Sequence, residues 1–165
     1  MIPPGYILIR PETLAGVQKA VEAALGPAAG ECLAAGGRAG GGRAAAALEG
    51  AAAARVTRLL AQGGALGWGT FALERLTPTA LAVSVTGSPF ARAYGGATAP
   101  VCHLTRGVLE ALAATVLQRP RPVRETACAA LGAARCRFET ADDAMPPPGP
   151  PGTARAGTPR PPHSP

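Results

Sequence analysis

Large apolar side chains are scarce in this chain, because alanine supplies 38 of its 78 hydrophobic residues. A sequence of 165 residues is long enough for one compact domain and too short for two substantial ones. The hydrophobic core of that domain is therefore expected to be thin. A bound metal ion would be a physically sensible supplement to such a core.

Proline is concentrated at the C-terminal end of the chain. Nine of the 18 prolines lie between Met145 and Pro165, and no large apolar residue follows Met145. A segment of this kind buries too little surface to offset the entropy lost on ordering. We therefore expect residues 141–165 to be a disordered tail, residues 1–62 to be an N-terminal helical portion of the domain, and residues 63–140 to be its core.

The apolar spacing in the N-terminal portion predicts mainly helices. Leu14, Val17, Val21 and Leu25 share one face of a helix that opens at Pro11. Glycine is a poor helix former, and six glycines between residues 28 and 42 weaken the helical signal there. The predicted elements are a strand over 5–10, a helix over 11–25, a loop or weak helix over 28–42, and a helix over 44–62.

The rest of the chain alternates between strand and helix patterns. Two strand-like runs flank a Leu-Thr-Pro break, a long amphipathic helix follows, and two more strand-like runs flank Gly132. This order predicts an α+β domain, in which an antiparallel sheet of hairpins is covered on one face by helices. The predicted elements are strands over 67–75 and 79–86, a helix over 101–118, and strands over 123–127 and 135–140.

Charge and targeting signals limit the classes of partner. The net charge is +6, but the arginines are spread along the chain and aromatic residues make up only 4%, so we expect no nucleic-acid binding. No signal peptide and no transmembrane span is recognised, which predicts a cytoplasmic protein. In that compartment cysteines are expected to be thiols or metal ligands before they are disulfides.

Three cysteines and a glutamate form a candidate metal site. Cys102 is predicted at the start of the long helix, Glu125 and Cys128 near the end of one strand, and Cys136 at the start of the strand that returns. A hairpin would bring the last three together, and packing of the helix start against it would complete a set of three sulfurs and one oxygen. That donor set suits structural Zn(II), although small apolar cysteines with no metal would also satisfy the pattern.

Residues 88–139 carry a set of short motifs that resembles the 4-vinyl reductase domain family. These motifs are Ser-Pro-Phe-Ala from Ser88, Pro-Val-Cys-His from Pro100, Glu-Thr-Ala-Cys from Glu125 and Cys-Arg-Phe-Glu from Cys136. Members of this family include small-molecule-binding domains of bacteriochlorophyll-synthesis proteins, aromatic-sensing bacterial activators and hydrocarbon-binding proteins. The resemblance implies that zinc is held by the matching positions Cys102, Glu125, Cys128 and Cys136, and that Cys32 lies outside the site.

The same resemblance implies a pocket for a hydrophobic small molecule, aromatic or tetrapyrrole-like. A helix-covered sheet with few large side chains can leave an apolar cavity between its layers. The candidate lining residues are Trp68, Phe71, Phe90, His103 and Gly107.

Catalysis has little support in the sequence. The only histidines are His103 and His163, with no evident acidic partner for a catalytic triad. The Gly-x-Gly-x-x-Ala run at Gly67 begins a predicted strand and not a helix, so it is not a dinucleotide site. Two alternatives stay open at this point: an enzyme or accessory protein of tetrapyrrole 4-vinyl reduction, and a homodimeric interaction module that passes a signal to a protein partner.

Overall fold

The computed structural model describes residues 7–141. Within that range, helices flank a four-stranded antiparallel sheet, which confirms the predicted α+β class. The predicted tail lies outside the described residues except for Ala141, as do residues 5 and 6 of the predicted first strand. Residues 7–10 are not in a strand, so that prediction is wrong where it can be compared. No helix within the described range is long and apolar enough to cross a membrane.

The N-terminal portion contains three long helices. They are α1 (Pro11–Leu25), α2 (Ala29–Ala46) and α3 (Ala52–Ala65). Helix α1 has the predicted bounds, but Val17 is 52% exposed, and the buried residues of the helix are Ala15 and Gln18. The amide of Gln18 donates a hydrogen bond to the backbone oxygen of Val101, which explains why a polar residue is buried on this face.

Two predictions for the N-terminal portion are corrected by the structure. The glycine-rich stretch is a regular helix of 18 residues, because its glycines let α2 approach another helix closely. The helix predicted over 44–62 is two helices, since the chain leaves α2 after Ala46 and enters α3 at Ala52. Between them Gly50 has φ +100°, a backbone conformation that other residues rarely adopt.

The sheet is built from the two predicted hairpins. Strands β1 (Thr70–Leu76) and β2 (Leu81–Thr86) form the first, and β3 (Val123–Ala127) and β4 (Cys136–Thr140) form the second. Antiparallel pairing of β2 with β4 joins the hairpins, so the strand order is β1-β2-β4-β3. The two central strands therefore come from different hairpins.

Two helices connect the hairpins. Short helix α4 (Pro89–Tyr94) interrupts the predicted loop; Ser88 caps it by accepting a hydrogen bond from the Ala91 amide at 3.4 Å. Helix α5 (His103–Val116) confirms the long predicted helix, with slightly shorter bounds. Alternate residues of β4, Cys136 and Phe138, are buried in one core cluster with Leu109 and Leu112 of α5. The sheet therefore packs against α5 through the face that carries Cys136.

Candidate metal centre and apolar cavity

The four predicted metal ligands meet at the junction of α5 with the second hairpin. Cys102 is the residue immediately before α5, Glu125 lies in β3, Cys128 follows β3, and Cys136 is the first residue of β4. A short turn of 3-10 helix over Ala129–Leu131 carries the chain back between the strands. Strand pairing and the approach of α5 thus bring together residues that are 34 positions apart.

The ligand atoms of these four residues all lie within 4.8 Å of one another. The three cysteines are buried, each with at most 1% of its surface exposed. The Sγ atoms of Cys102 and Cys136 are 3.6 Å apart. Two sulfurs bound to one tetrahedral zinc ion lie about 3.8 Å apart, since each Zn–S bond is about 2.3 Å. The spacing of these sulfurs therefore fits a common metal ion.

The carboxylate of Glu125 is only half satisfied by the protein. Its Oε2 accepts a hydrogen bond from the backbone N–H of Cys102 at 2.9 Å. Its Oε1 is buried and has no hydrogen-bond partner among the described residues. Burial of a carboxylate oxygen without a partner is costly, and a cation bound by the cluster would remove that cost. The residues present therefore fit a zinc ion both in donor type and in unsatisfied charge.

Without a cation, the thiols of the cluster are held mainly in their neutral form. The hydrogen bond with Cys136, followed by burial, raises the pKa of Cys102 well above its usual range. Burial, followed by the nearby Glu125 carboxylate, raises the pKa of Cys128 to about 11. The contact with Cys102 lowers the pKa of Cys136. Three thiolates beside a carboxylate repel one another, so a metal that binds here must displace protons as it binds.

An apolar cavity of about 300 Å³ lies between α2, α3, α5 and the start of β1. Among the described residues that line it, none is charged, and only Gln62, Trp68 and Thr105 carry polar side-chain groups. The remaining lining residues are aliphatic, aromatic or glycine: Leu14, Gly36, Gly37, Gly40, Gly41, Ala44, Leu59, Leu60, Gly63, Leu66, Phe71, Leu104, Val108 and Leu109.

The predicted ligand-binding residues are only partly brought together by the fold. Trp68 and Phe71 line the cavity. Phe90 packs edge-on against Trp68, with ring centroids 4.9 Å apart, and so supports the wall from outside. The His103 imidazole lies against α2 beside Gly30, and Gly107 lies in the contact between α2 and α5. These two residues are not among those that line the cavity.

The glycine-rich face of α2 was missed as a functional element by sequence reasoning. Four of its glycines line the cavity: Gly36, Gly37, Gly40 and Gly41. Their spacing of one and four residues places them on a single helical face, which was the available signal. That signal was read as evidence against a helix because glycine propensity was weighed alone.

A buried carboxylate next to the cavity was missed as well. Glu110 of α5 accepts hydrogen bonds from Arg38 of α2 at 2.5 Å and from Arg106 at 2.8 Å. It also accepts one from the backbone N–H of Val123, at the start of β3, at 3.2 Å. This single side chain therefore joins α2, α5 and the second hairpin. The four-residue spacing between Arg106 and Glu110 was the only sign of it in the sequence.

Comparison with known proteins places this arrangement in a family. Residues 81–141 match the model of the vinyl-4-reductase domain. The fold is similar to the crystal structure of the phenol-responsive sensory domain of the transcription activator PoxR with phenol. The identity is 18% and the TM-score 0.72, over 82% of this chain and 75% of that chain.

A second solved structure supports the same fold. It is a vinyl-4-reductase family protein from Methanocaldococcus jannaschii, with 13% identity and a TM-score of 0.57, over 84% of this chain and 83% of that chain. No curated protein has a matching sequence. The two structural likenesses concern the fold, while the sequence match covers strands β2, β3 and β4, helix α5 and all four candidate metal ligands. Residues 81–141 of this chain therefore belong to the vinyl-4-reductase domain family, as the resemblance of the sequence predicted.

Proposed function

We propose that this chain binds a small, uncharged, apolar molecule in the cavity between α2, α3 and α5, and that it acts as a sensing domain with a structural zinc ion. The observation that carries the proposal is the cavity itself, since its wall is apolar and free of charged side chains among the described residues. A concave site of this kind is the usual form of a small-molecule binding site. The likeness to a domain described as phenol-responsive supports the same function.

The size of the cavity limits the ligand. An engineered apolar cavity of about 150 Å³ holds one benzene molecule. The cavity here has about twice that volume, about 300 Å³, which suits one ring with a short substituent or two fused rings. A tetrapyrrole carries four pyrrole rings and is too large for this space. Size therefore favours a compact aromatic ligand over a chlorophyll precursor.

The chemistry of the wall limits the ligand as well. A carboxylate or phenolate transferred into the cavity would lose its hydration without meeting a cation. Gln62, Trp68 and Thr105 are the lining residues with side-chain groups that can hydrogen-bond a neutral hydroxyl. We therefore expect neutral aromatic compounds to bind more tightly than carboxylated ones of the same size.

Zinc binding is the second part of the proposal, and the residues that would hold the ion are Cys102, Glu125, Cys128 and Cys136. With four protein ligands the ion has no open position for a water or substrate, so its role would be structural. When bound, it would supply a tetrahedral link between the start of α5 and both strands of the second hairpin. The buried Oε1 of Glu125 and the sulfur spacing support this assignment.

The ligand proposal is tested by calorimetric titration with ethylbenzene. We expect saturable binding to the unmodified chain, and at least tenfold weaker binding to Val108→Phe, because the larger ring fills part of the cavity. The matched control is Val116→Phe, on the same helix but not among the lining residues. Equal affinity of Val108→Phe and the unmodified chain would contradict the proposed site.

The zinc proposal is tested by metal analysis of protein purified without chelator. We expect about one zinc ion per chain in the unmodified protein and in Cys32→Ala, because Cys32 is exposed and outside the cluster. Cys128→Ala should retain less than about a tenth of that amount, since it removes one of four ligands. Full occupancy of Cys128→Ala, or no zinc in the unmodified protein, would overturn the assignment.

A further inference from the structure

We propose that Gly36 and Gly40 of α2 form the entrance through which a ligand reaches the cavity. This inference rests on the function proposed above. It starts from the exposure of the residues that line the cavity. Among these described lining residues, Gly36 and Gly40 are the only ones exposed to solvent; all others are buried or half-buried.

The glycines of α2 fall into two groups with different neighbours. A Cβ atom at Gly37 would collide with the backbone oxygen of Leu104, and a Cβ at Gly41 would lie 2.7 Å from the Cα of Val108. Close packing on α5 therefore explains why these two positions lack side chains. No such explanation applies to Gly36, where the nearest atom would be 3.9 Å away, or to Gly40, where nothing lies within 4 Å.

Glycine at an unconstrained position weakens a helix, because it is among the least favourable residues in a helix interior. At Gly36 and Gly40 that loss coincides with an opening in the wall of an apolar cavity. Residues four positions apart lie one above the other on a helix, about 6 Å apart along its axis. The two positions together thus leave a bare strip about one helical turn long on the surface above the cavity.

A side chain placed on this strip would stand in the path of the ligand without disturbing the α2–α5 contact. Leucine at position 40 meets no neighbouring atom at its Cβ, and leucine is a better helix former than glycine. Gly42 is the matched control, since it lies on the same helix, also has nothing within 4 Å of a Cβ, and is not a lining residue.

The test follows association by stopped-flow fluorescence. Trp68 is the only tryptophan of the chain and lines the cavity, so its emission reports occupancy directly. The probes are toluene and the longer n-butylbenzene. For Gly40→Leu we expect association and dissociation of n-butylbenzene to slow together by about tenfold or more, with a smaller effect on toluene. Gly36→Leu should behave in the same way, and Gly42→Leu should match the unmodified chain.

Each outcome separates the entrance from the proposed function. Unchanged association rates in both Gly36→Leu and Gly40→Leu, with binding intact, would overturn the entrance and leave the cavity as the binding site. A higher Kd at an unchanged association rate would also overturn it, because the leucine would then fill the cavity and not obstruct the way in. If the unmodified chain bound neither probe, the proposed function itself would be wrong. Thermal unfolding confirms that each variant is folded before its rates are compared.

Discussion

At the scale of single residues, Glu110 is the side chain on which most parts of the domain converge. Its carboxylate is 8% exposed and lies between Arg106 at 19% and Arg38 at 37%. A buried carboxylate with two charged donors and one backbone donor is well satisfied, but it depends on all three. Glu110 therefore ties α2 and α5 to the start of β3, whereas the zinc ligands lie near the other end of that strand.

The substitution Glu110→Gln is expected to lower the free energy of unfolding by about 2 kcal/mol, because it leaves two arginines without their shared anion. Urea denaturation measures the change. The control is Glu49→Gln, since Glu49 is exposed and has no ion pair among the described residues, and it should have no measurable effect. Equal stability of the Glu110 variant and the unmodified chain would show that the carboxylate contributes no net stability.

At the scale of elements, the contact between α2 and α5 determines the shape of the cavity. Gly107 of α5 faces the backbone oxygen of Ala34, so that the two helix backbones touch. Gly37 and Gly41 of α2 make the reciprocal approach to Leu104 and Val108. Helices with side chains at these positions would be held farther apart, at the usual interaxial distances of about 8 to 10 Å.

The substitution Gly107→Ala tests this contact. Its methyl group would overlap the Ala34 carbonyl and lie 2.9 Å from the Arg38 nitrogen, so we expect a loss of about 2 kcal/mol in unfolding free energy. The control Gly42→Ala, with open space around the added methyl, should raise stability by up to about 1 kcal/mol. Opposite signs in urea denaturation are the expected result. A stabilising Gly107→Ala would contradict the close approach of the two backbones.

At the scale of the whole molecule, the candidate zinc site and the cavity share α5. Cys102 precedes the first turn of the helix, while Leu104, Thr105 and Val108 of the next turns line the cavity. The core that joins them is thin, as the alanine content indicated, and three of its fully buried members are the cysteines of the cluster. A metal ion would therefore stabilise the part of the domain where large apolar side chains are fewest.

Removal of zinc with a chelator is expected to lower the thermal midpoint by about 10 °C, since several kcal/mol of binding energy act on a domain of this size. Differential scanning calorimetry with and without chelator measures the shift. Cys128→Ala supplies the control, because a chain that holds no zinc should show no further loss when chelator is added. An unchanged midpoint in the unmodified protein would mean that the metal does not contribute to stability.

The sequence by itself determined the α+β class, both hairpins, helix α5 and the four candidate metal ligands. These features depend on local periodicity and on the chemistry of a few residue types, which can be recognised without knowledge of distant contacts. Only the tertiary structure decided that the stretch from Ala29 to Ala46 is helical, since its glycines gain from close packing on α5 what they lose in propensity. It also decided that Trp68 and Phe71 line the cavity while His103 and Gly107 do not. Contacts between residues about 70 positions apart, such as Arg38 with Glu110, leave almost no local trace in a sequence.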